Sequence, residues 1–292
     1  MVDLSGTWIK NSDVDVVRLV HETVVREFGR KALQYTDTAG APEPREELRR
    51  ILAAKGFTRH EVYFTTSIAD SIRVVAEIHL NPGECIQPED PTQKEVLSYA
   101  KCGRPKAVYI QPHWRNPDGY IYTAGELEAA ARSAPLTIYD LTYSLLAGDV
   151  PYVPEGAVVV GSLDVLFPGL HLAYVAVPPS LSDYYLNVLE ASYLHPPTYM
   201  QYLFYAAVKS DAVYAVFNSL ARRRDLVRQH LGVEATPYFA WLRPRDKTIF
   251  LKHGALDGSV FSWRGRFGEY VRLGLTSATE EELADFLSKV PL

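Results

Sequence analysis

Residues 158–174, Val-Val-Val-Gly-Ser-Leu-Asp-Val-Leu-Phe-Pro-Gly-Leu-His-Leu-Ala-Tyr, constrain this chain more than any other stretch. Two aliphatic runs flank a Gly161-Ser162 and a Pro168-Gly169, which reads as a buried strand, a short irregular loop and a second strand. Loops held between buried strands carry chemistry, because the scaffold fixes them while their polar groups stay accessible. Further strand-like runs stand at 61–65, 107–111 and 135–140, and the first two lead through polar turns into helical patterns. Strands that alternate with helices pack as a mostly parallel sheet with helices on its faces, so an α/β fold is expected.

At 292 residues, with 47% apolar and 22% charged, the chain can bury one large core or two modest ones. A net charge of −5 gives no footprint for nucleic acid, and the basic cluster Arg222-Arg223-Arg224 lies in a helical pattern, where it reads as a solvated face. Cys85 and Cys102 are too few for a disulfide framework and lack metal-ligand spacing, which points to a reducing compartment. No basic-then-apolar leader and no apolar run near the ~20 residues of a membrane span is present, so a cytoplasmic protein that spans no membrane is expected. Nineteen tyrosines, nineteen prolines and two methionines would suit a thermophile.

In chain order, a strand-like start at 2–6 precedes an amphipathic helix ending near Gly29. Leu33-Gln34-Tyr35-Thr36-Asp37 then leads to a helix expected from Arg45 to Lys55. After the strand at 61–65, Thr66-Ser67-Ile68-Ala69-Asp70 opens an apolar helix, whose free N–H groups suit a phosphate and equally suit an ordinary Ser/Thr cap. Gln87-Pro88-Glu89-Asp90-Pro91-Thr92-Gln93 forms a loop, and Pro112-His113-Trp114-Arg115-Asn116-Pro117-Asp118-Gly119 follows a strand. The strand ending in Asp140-Leu141-Thr142-Tyr143 puts a carboxylate where α/β proteins bind ligands, at a strand's C-terminal end, although Asp140 also reads as a helix cap. Residues 181–216 are helix-periodic and interrupted near Pro196-Pro197, and Tyr270-Val271-Arg272-Leu273 precedes a helix announced by Ser277 and Glu280-Glu281-Glu282.

These motifs, in this order and over nearly the whole chain, resemble the fold-type I pyridoxal-phosphate aminotransferases of the α-aminoadipate and MocR-like branch. The resemblance implies a three-layer α/β/α large domain of the aspartate-aminotransferase type with a mostly parallel sheet, plus a small C-terminal α+β domain. It implies an N-terminal arm and helix at 1–30 packing on the small domain, a large domain at 31–180, and an interdomain helix with the small domain at 181–292. By motif position, Tyr35 of one subunit would reach the phosphate in its neighbour, although packing at a loop–helix junction explains that tyrosine equally well. Thr66, Ser67, Ile68, Ser162 and His171 would stand around the phosphate, Asn116 and Tyr143 at the phenolic oxygen, and Asp140 at the ring nitrogen. Arg272 would bind a substrate α-carboxylate with its two-pronged guanidinium, or else make a structural salt bridge.

The chain departs from the family pattern in one pocket. The imine lysine falls at Asp164 counting from Pro168-Gly169 and at Val165 counting from Gly161-Ser162, and no lysine occurs between Lys106 and Lys209. His171 takes the place of the phosphate arginine, Gln93 that of the stacking aromatic, and Ile68 that of the glycine in the phosphate turn. Transamination needs the lysine as imine and as base, so ordinary transamination is expected to be lost or altered. Two readings follow from the resemblance. One is an aminotransferase-like enzyme of altered chemistry that still binds pyridoxal 5′-phosphate or pyridoxamine phosphate, without a covalent bond, with an amino acid or 2-oxo acid as ligand. The other is a non-catalytic paralogue acting as a binding or heterodimer partner protein. A homodimer is expected because family sites form between subunits, and a MocR-type regulator is disfavoured by the short arm before Tyr35.

Overall fold

The β-branched runs of the sequence form the strands they announce, and the helices cover both faces of the resulting sheet. The computed structural model describes residues 2–9, 14–101 and 103–290. Its elements in chain order are α1 (Val14–Ala32), α2 (Pro42–Ala54), β1 (Glu61–Thr65), α3 (Ile68–His79), β2 (Glu84–Pro88), β3 (Arg104–Ile110), α4 (Ala124–Ala131), β4 (Leu136–Asp140), β5 (Val158–Ser162) and β6 (Ala173–Val177). They continue with α5 (Ser182–Ser192), α6 (Thr198–Lys209), α7 (Ala212–Leu231), β7 (Phe239–Leu242), α8 (Thr248–Leu251), β8 (Leu256–Asp257), β9 (Val271–Gly274) and α9 (Glu280–Leu287). Short 3-10 helices cover Lys94–Tyr99, Pro179–Leu181 and Gly258–Phe261.

The large sheet has the order β1-β6-β5-β4-β3-β2. β2, β3, β4 and β5 pair in parallel, and β6 runs against both of its neighbours, β5 and β1. Alternation along β5 splits its valines between two cores. Val159 faces a core shared with α1, α2 and α6 through Val24, Leu48 and Leu203, whereas Val158 and Val160 face a core shared with α3 and α5 through Val75 and Leu189. Each fully buried aliphatic side chain contributes roughly 1.5–3 kcal/mol, so these two cores stabilise the three-layer arrangement. Gly161 sits where β5 crosses Tyr174 of β6, and a Cβ there would lie 2.7 Å from the tyrosine ring.

The antiparallel sheet β7-β9-β8 packs with α8, α9 and the C-terminal half of α7 around a third core containing Leu4, Val227, Leu231, Leu273 and Phe286. This α+β unit is the small domain of the expected fold. Two domain expectations change. α1 does not pack on the small domain: Val20 and Val24, one turn apart, lie in the large core beside α6, and among the described residues ahead of α1 Val2 and Leu4 lie in the small-domain core. The large domain does not end at 180, because α5 and α6 belong to its cores and α7 bridges the domains, with Val213 and Leu220 in one core and Val227 and Leu231 in the other.

Helix starts shift for local reasons. α2 begins at Pro42, where the missing N–H and fixed φ of proline suit the first turn, and not at Arg45. α9 is capped by Thr279 and Glu282 in a capping box, while Ser277 donates instead to the Asp3 carbonyl. Cys85 is buried in β2 and disulfide-bonded, which corrects the expectation of reduced thiols; Cys102 lies outside the described residues. Among the described residues no helix is long and apolar enough to cross a membrane, and no group of three His, Cys, Asp or Glu is placed to hold a metal.

Candidate functional site

The parallel strands β3, β4 and β5 end side by side, delivering Gln111, Asp140 and Ser162 toward the cleft between the domains. A cavity of about 340 Å³ opens there. Asn116, Tyr143, Ser162 and Asp164 line it from the large domain, Arg272 and Phe261 from the small domain, and Ser5 to Trp8 from above.

Asp140 is fully buried just behind this cavity and is saturated by protein donors. Its Oδ1 accepts from the Thr142 N–H at 2.8 Å and hydroxyl at 2.5 Å; its Oδ2 accepts from Tyr109 at 2.5 Å and Gln111 Nε2 at 3.1 Å. Four donors fill the lone-pair sites of a carboxylate. Gln93 closes the chain by donating to the Tyr109 hydroxyl at 2.7 Å. Burial still pushes the Asp140 carboxyl up to about 6 against the hydrogen bonds from Thr142 and Tyr109.

At the start of α3 the expected anion turn is occupied by the chain's own acid. The Ser67 hydroxyl caps the helix by accepting from the Asp70 N–H. The Asp70 carboxylate in turn accepts from the Thr66 N–H at 3.2 Å, the Thr66 hydroxyl at 3.0 Å and Tyr193 at 2.6 Å, and it pairs with Arg73. Burial pushes this acid up, but the donors from Tyr193, Thr66 and Arg73 together hold it below the usual carboxylate range.

The loop after β5 is also acidic. Ser162 donates its hydroxyl to Asp164 Oδ1 at 2.5 Å and its N–H to Thr142 at 2.9 Å. Asp164 is mostly buried on the cavity wall, and burial raises its carboxyl above the ordinary value. Val165 beside it is buried and apolar. His171 is exposed, does not line the cavity, and acts on Asp164 only through its charge.

Arg272 forms the opposite wall. Only 5% exposed, it donates Nη2 to the Ser5 carbonyl at 2.7 Å and Nη1 to Asn116 Oδ1 at 3.3 Å, and it lies over the Phe261 ring. Its Nε has no partner, and among the described residues no carboxylate stands within ion-pair distance. Burial lowers the pKa of this guanidinium, opposed by the charges of Tyr143 and Glu95. Asn116 donates to Tyr143 at 3.3 Å, and Tyr143 meets the Thr7 hydroxyl at 3.1 Å. Residues 5–8 are locked over the cavity by these contacts and by Gly274, where a Cβ would lie 1.8 Å from the Gly6 carbonyl.

The structure thus brings Ile68, Asn116, Tyr143, Ser162, Asp164, Val165 and Arg272 together. It leaves Thr66 and Ser67 in the helix cap, Asp140 behind the wall and His171 outside. Tyr35, 85% exposed and edge-on to His195, lines a separate surface hollow with Lys31 and Tyr202. Sequence reading missed the strap at 5–8, Glu95, and Lys94, which is the lysine on the cavity lining. Lys94 was discoverable as the neighbour of the departing residue Gln93. No local signal marks the strap.

Pyridoxal phosphate asks for a carboxylate free to hold the ring nitrogen, donors for a phosphate dianion, and a lysine for the imine. Here the Asp140 oxygens are saturated, Asp70 takes the donors of Thr66, and the Ser162 hydroxyl points to a second acid. The residues present do not fit the group.

No family model matches the chain. An uncharacterized aminotransferase of Saccharolobus solfataricus is 22% identical, with 95% of this chain and 86% of that protein covered. Among solved structures, the kynurenine aminotransferase of Pyrococcus horikoshii, in complex with PMP, superposes with a TM-score of 0.80 at 19% identity, covering 98% of this chain and 89% of that one. The α-aminoadipate aminotransferase LysN of Thermus thermophilus gives 0.77 at 17%, covering 98% and 90%. With its mostly parallel sheet, its small α+β domain and its cleft between them, the chain has the fold of the fold-type I pyridoxal-phosphate aminotransferases.

Proposed function

We propose that this protein is an aminotransferase-fold binding protein that has lost lysine-dependent transamination and takes a small carboxylic acid in the ancestral cleft. The observation that carries this reading is Arg272, a buried guanidinium with an unpartnered Nε and, among the described residues, no acid in ion-pair distance. A buried charge held only by neutral oxygens is costly, and a two-pronged carboxylate relieves it. Loss of catalysis follows from Asp164 and Val165 at the lysine position, and loss of the cofactor from the saturated Asp140. Pairing of two copies is part of the reading, supported by the exposed apolar residues Leu19, Val25, Leu33 and Tyr35 along and just after α1.

Calorimetric titration with L-leucine and with 4-methyl-2-oxopentanoate tests the binding half, and saturable heat that disappears in Arg272→Gln is expected. Titration with pyridoxal phosphate, borohydride reduction and peptide mapping test the other half. No adduct is expected. A stoichiometric adduct on any lysine, Lys94 included, would overturn the loss of imine chemistry.

A further inference from the structure

The guanidinium of Arg115 stands between two acids and satisfies one of them. It donates Nε to Asp118 Oδ1 at 2.9 Å and Nη2 to Asp118 Oδ2, and Nη1 to the Tyr122 hydroxyl at 2.9 Å, while Nη1 stays 3.7 Å from Glu89 Oε1. Glu89 is the more deeply enclosed acid, with 7% of its side chain exposed against 19% for Asp118. Its Oε2 accepts from the Gln111 N–H at 3.1 Å, and its Oε1 has no hydrogen-bond partner. Asp118 instead lines an open hollow of about 390 Å³ beside β7, where water reaches it. The titratable and charged groups facing Glu89 are Arg115, Asp118 and Tyr122 from the loop after β3 and Tyr109 from β3 itself.

We propose that Arg115 is a two-position switch set by the protonation of Glu89: neutral Glu89 leaves the guanidinium on Asp118, and ionised Glu89 draws it inward and releases Asp118 to water. A charge closed off from water costs more than one that water reaches, so when both acids are ionised the enclosed one takes the cation. Burial sets the change near neutral pH, because it pushes Glu89 up to about 7 against the charge of Arg115. The chain passes the movement to both sides. Trp114, just before Arg115, has a left-handed backbone with φ 58° and stacks on Phe217 of the interdomain helix α7. Asn116, just after it, donates its N–H to Gln111 Oε1 and accepts from Arg272 on the cavity wall. The wall of the cleft therefore has two arrangements, one on each side of neutrality, whatever ligand the cleft takes.

Two measurements on the full chain decide this: tryptophan emission titrated from about pH 5 to about pH 9, and crystal structures grown near each end of that range. The wild type is expected to show an emission change with a midpoint near 7, lost in Glu89→Gln, whose neutral amide keeps Arg115 on Asp118 throughout. That variant also separates the switch from the titration of His113, whose ring lies 4.8 Å from that of Trp114 and whose pKa is lowered by burial. Asp118→Asn, at the more exposed acid, gives Arg115 to Glu89 and is expected to lower the midpoint by about one unit or more. In the crystals Arg115 should pair with Asp118 at the acid end and lie within hydrogen-bond distance of Glu89 at the alkaline end. No emission change in the wild type, a change that survives in Glu89→Gln, an unmoved midpoint in Asp118→Asn, or Arg115 on Asp118 in both crystals would each overturn the switch.

Discussion

The Tyr109 hydroxyl donates to Asp140 Oδ2 over 2.5 Å while accepting from Gln93, so three residues on three segments form one closed polar chain behind the cavity. Tyr109→Phe would leave the Gln93 amide without an acceptor and Asp140 with one donor fewer. Unmet buried polar groups cost about 1–3 kcal/mol. Urea denaturation should show a loss of that size; an unchanged midpoint would mean that the phenol is not what holds the carboxylate.

Burial raises two carboxyls, Asp140 to about 6 and Glu89 to about 7. Arg115, paired with Asp118 and 3.7 Å from Glu89, opposes this rise, but burial outweighs it. Both carboxyls keep their protons to higher pH in the folded chain than in the unfolded one. Folded protein therefore binds more protons between about 4 and 7, and stability falls as pH rises through that window, by on the order of 3 kcal/mol per group. Melting temperature should be higher at the acid end of this range than at its neutral end, and Glu89→Gln should flatten the upper part. A melting temperature that climbs with pH would contradict the burial argument.

Restoring a lysine alone should not restore the cofactor. In Asp164→Lys the Asp140 oxygens remain saturated and Asp70 still occupies the Thr66 donors. Mass spectrometry after pyridoxal phosphate and borohydride should find no more adduct than on the wild type, provided that circular dichroism confirms a native fold. Stoichiometric labelling of the new lysine would show the phosphate turn to be open after all.

Gly274 lies under the Gly6 carbonyl with no space for a methyl group. Gly274→Ala should dislodge residues 2–9, destabilise the chain by about 1–3 kcal/mol and expose the segment to proteolysis. Cleavage kinetics unchanged from wild type would rule out this clamp.

The fold was legible because its signals are local. Strand-forming runs closed by turn residues located β1, β3, β4 and β5, and Asp140, expected at the cleft, stands at the end of its strand but behind the cavity wall. The cap at α3 is half legible: a Ser/Thr cap is one of the two readings of the 66–70 turn, and the structure gives that role to Ser67, which accepts from the Asp70 N–H. What remained hidden depends on distant pairing. The Gln93–Tyr109–Asp140 chain joins residues on separate segments, and nothing in the local pattern of Ser5 to Trp8 shows that they will lie on Arg272 and Tyr143. Likewise α1 was assigned to the wrong domain because its amphipathic spacing specifies a buried face but not the surface that buries it.

The strap has a consequence for synthesis. Ser5 and Arg272 are 267 residues apart in sequence, and Leu4 pairs with Gly274 in the backbone. On the ribosome the roof of the cavity leaves the tunnel long before its seat exists, and it must wait while the large domain assembles. Contacts of such separation close slowly. The cleft between the domains is thus the last part of the molecule to take shape, and a nascent chain that has already built its sheet still lacks the cavity.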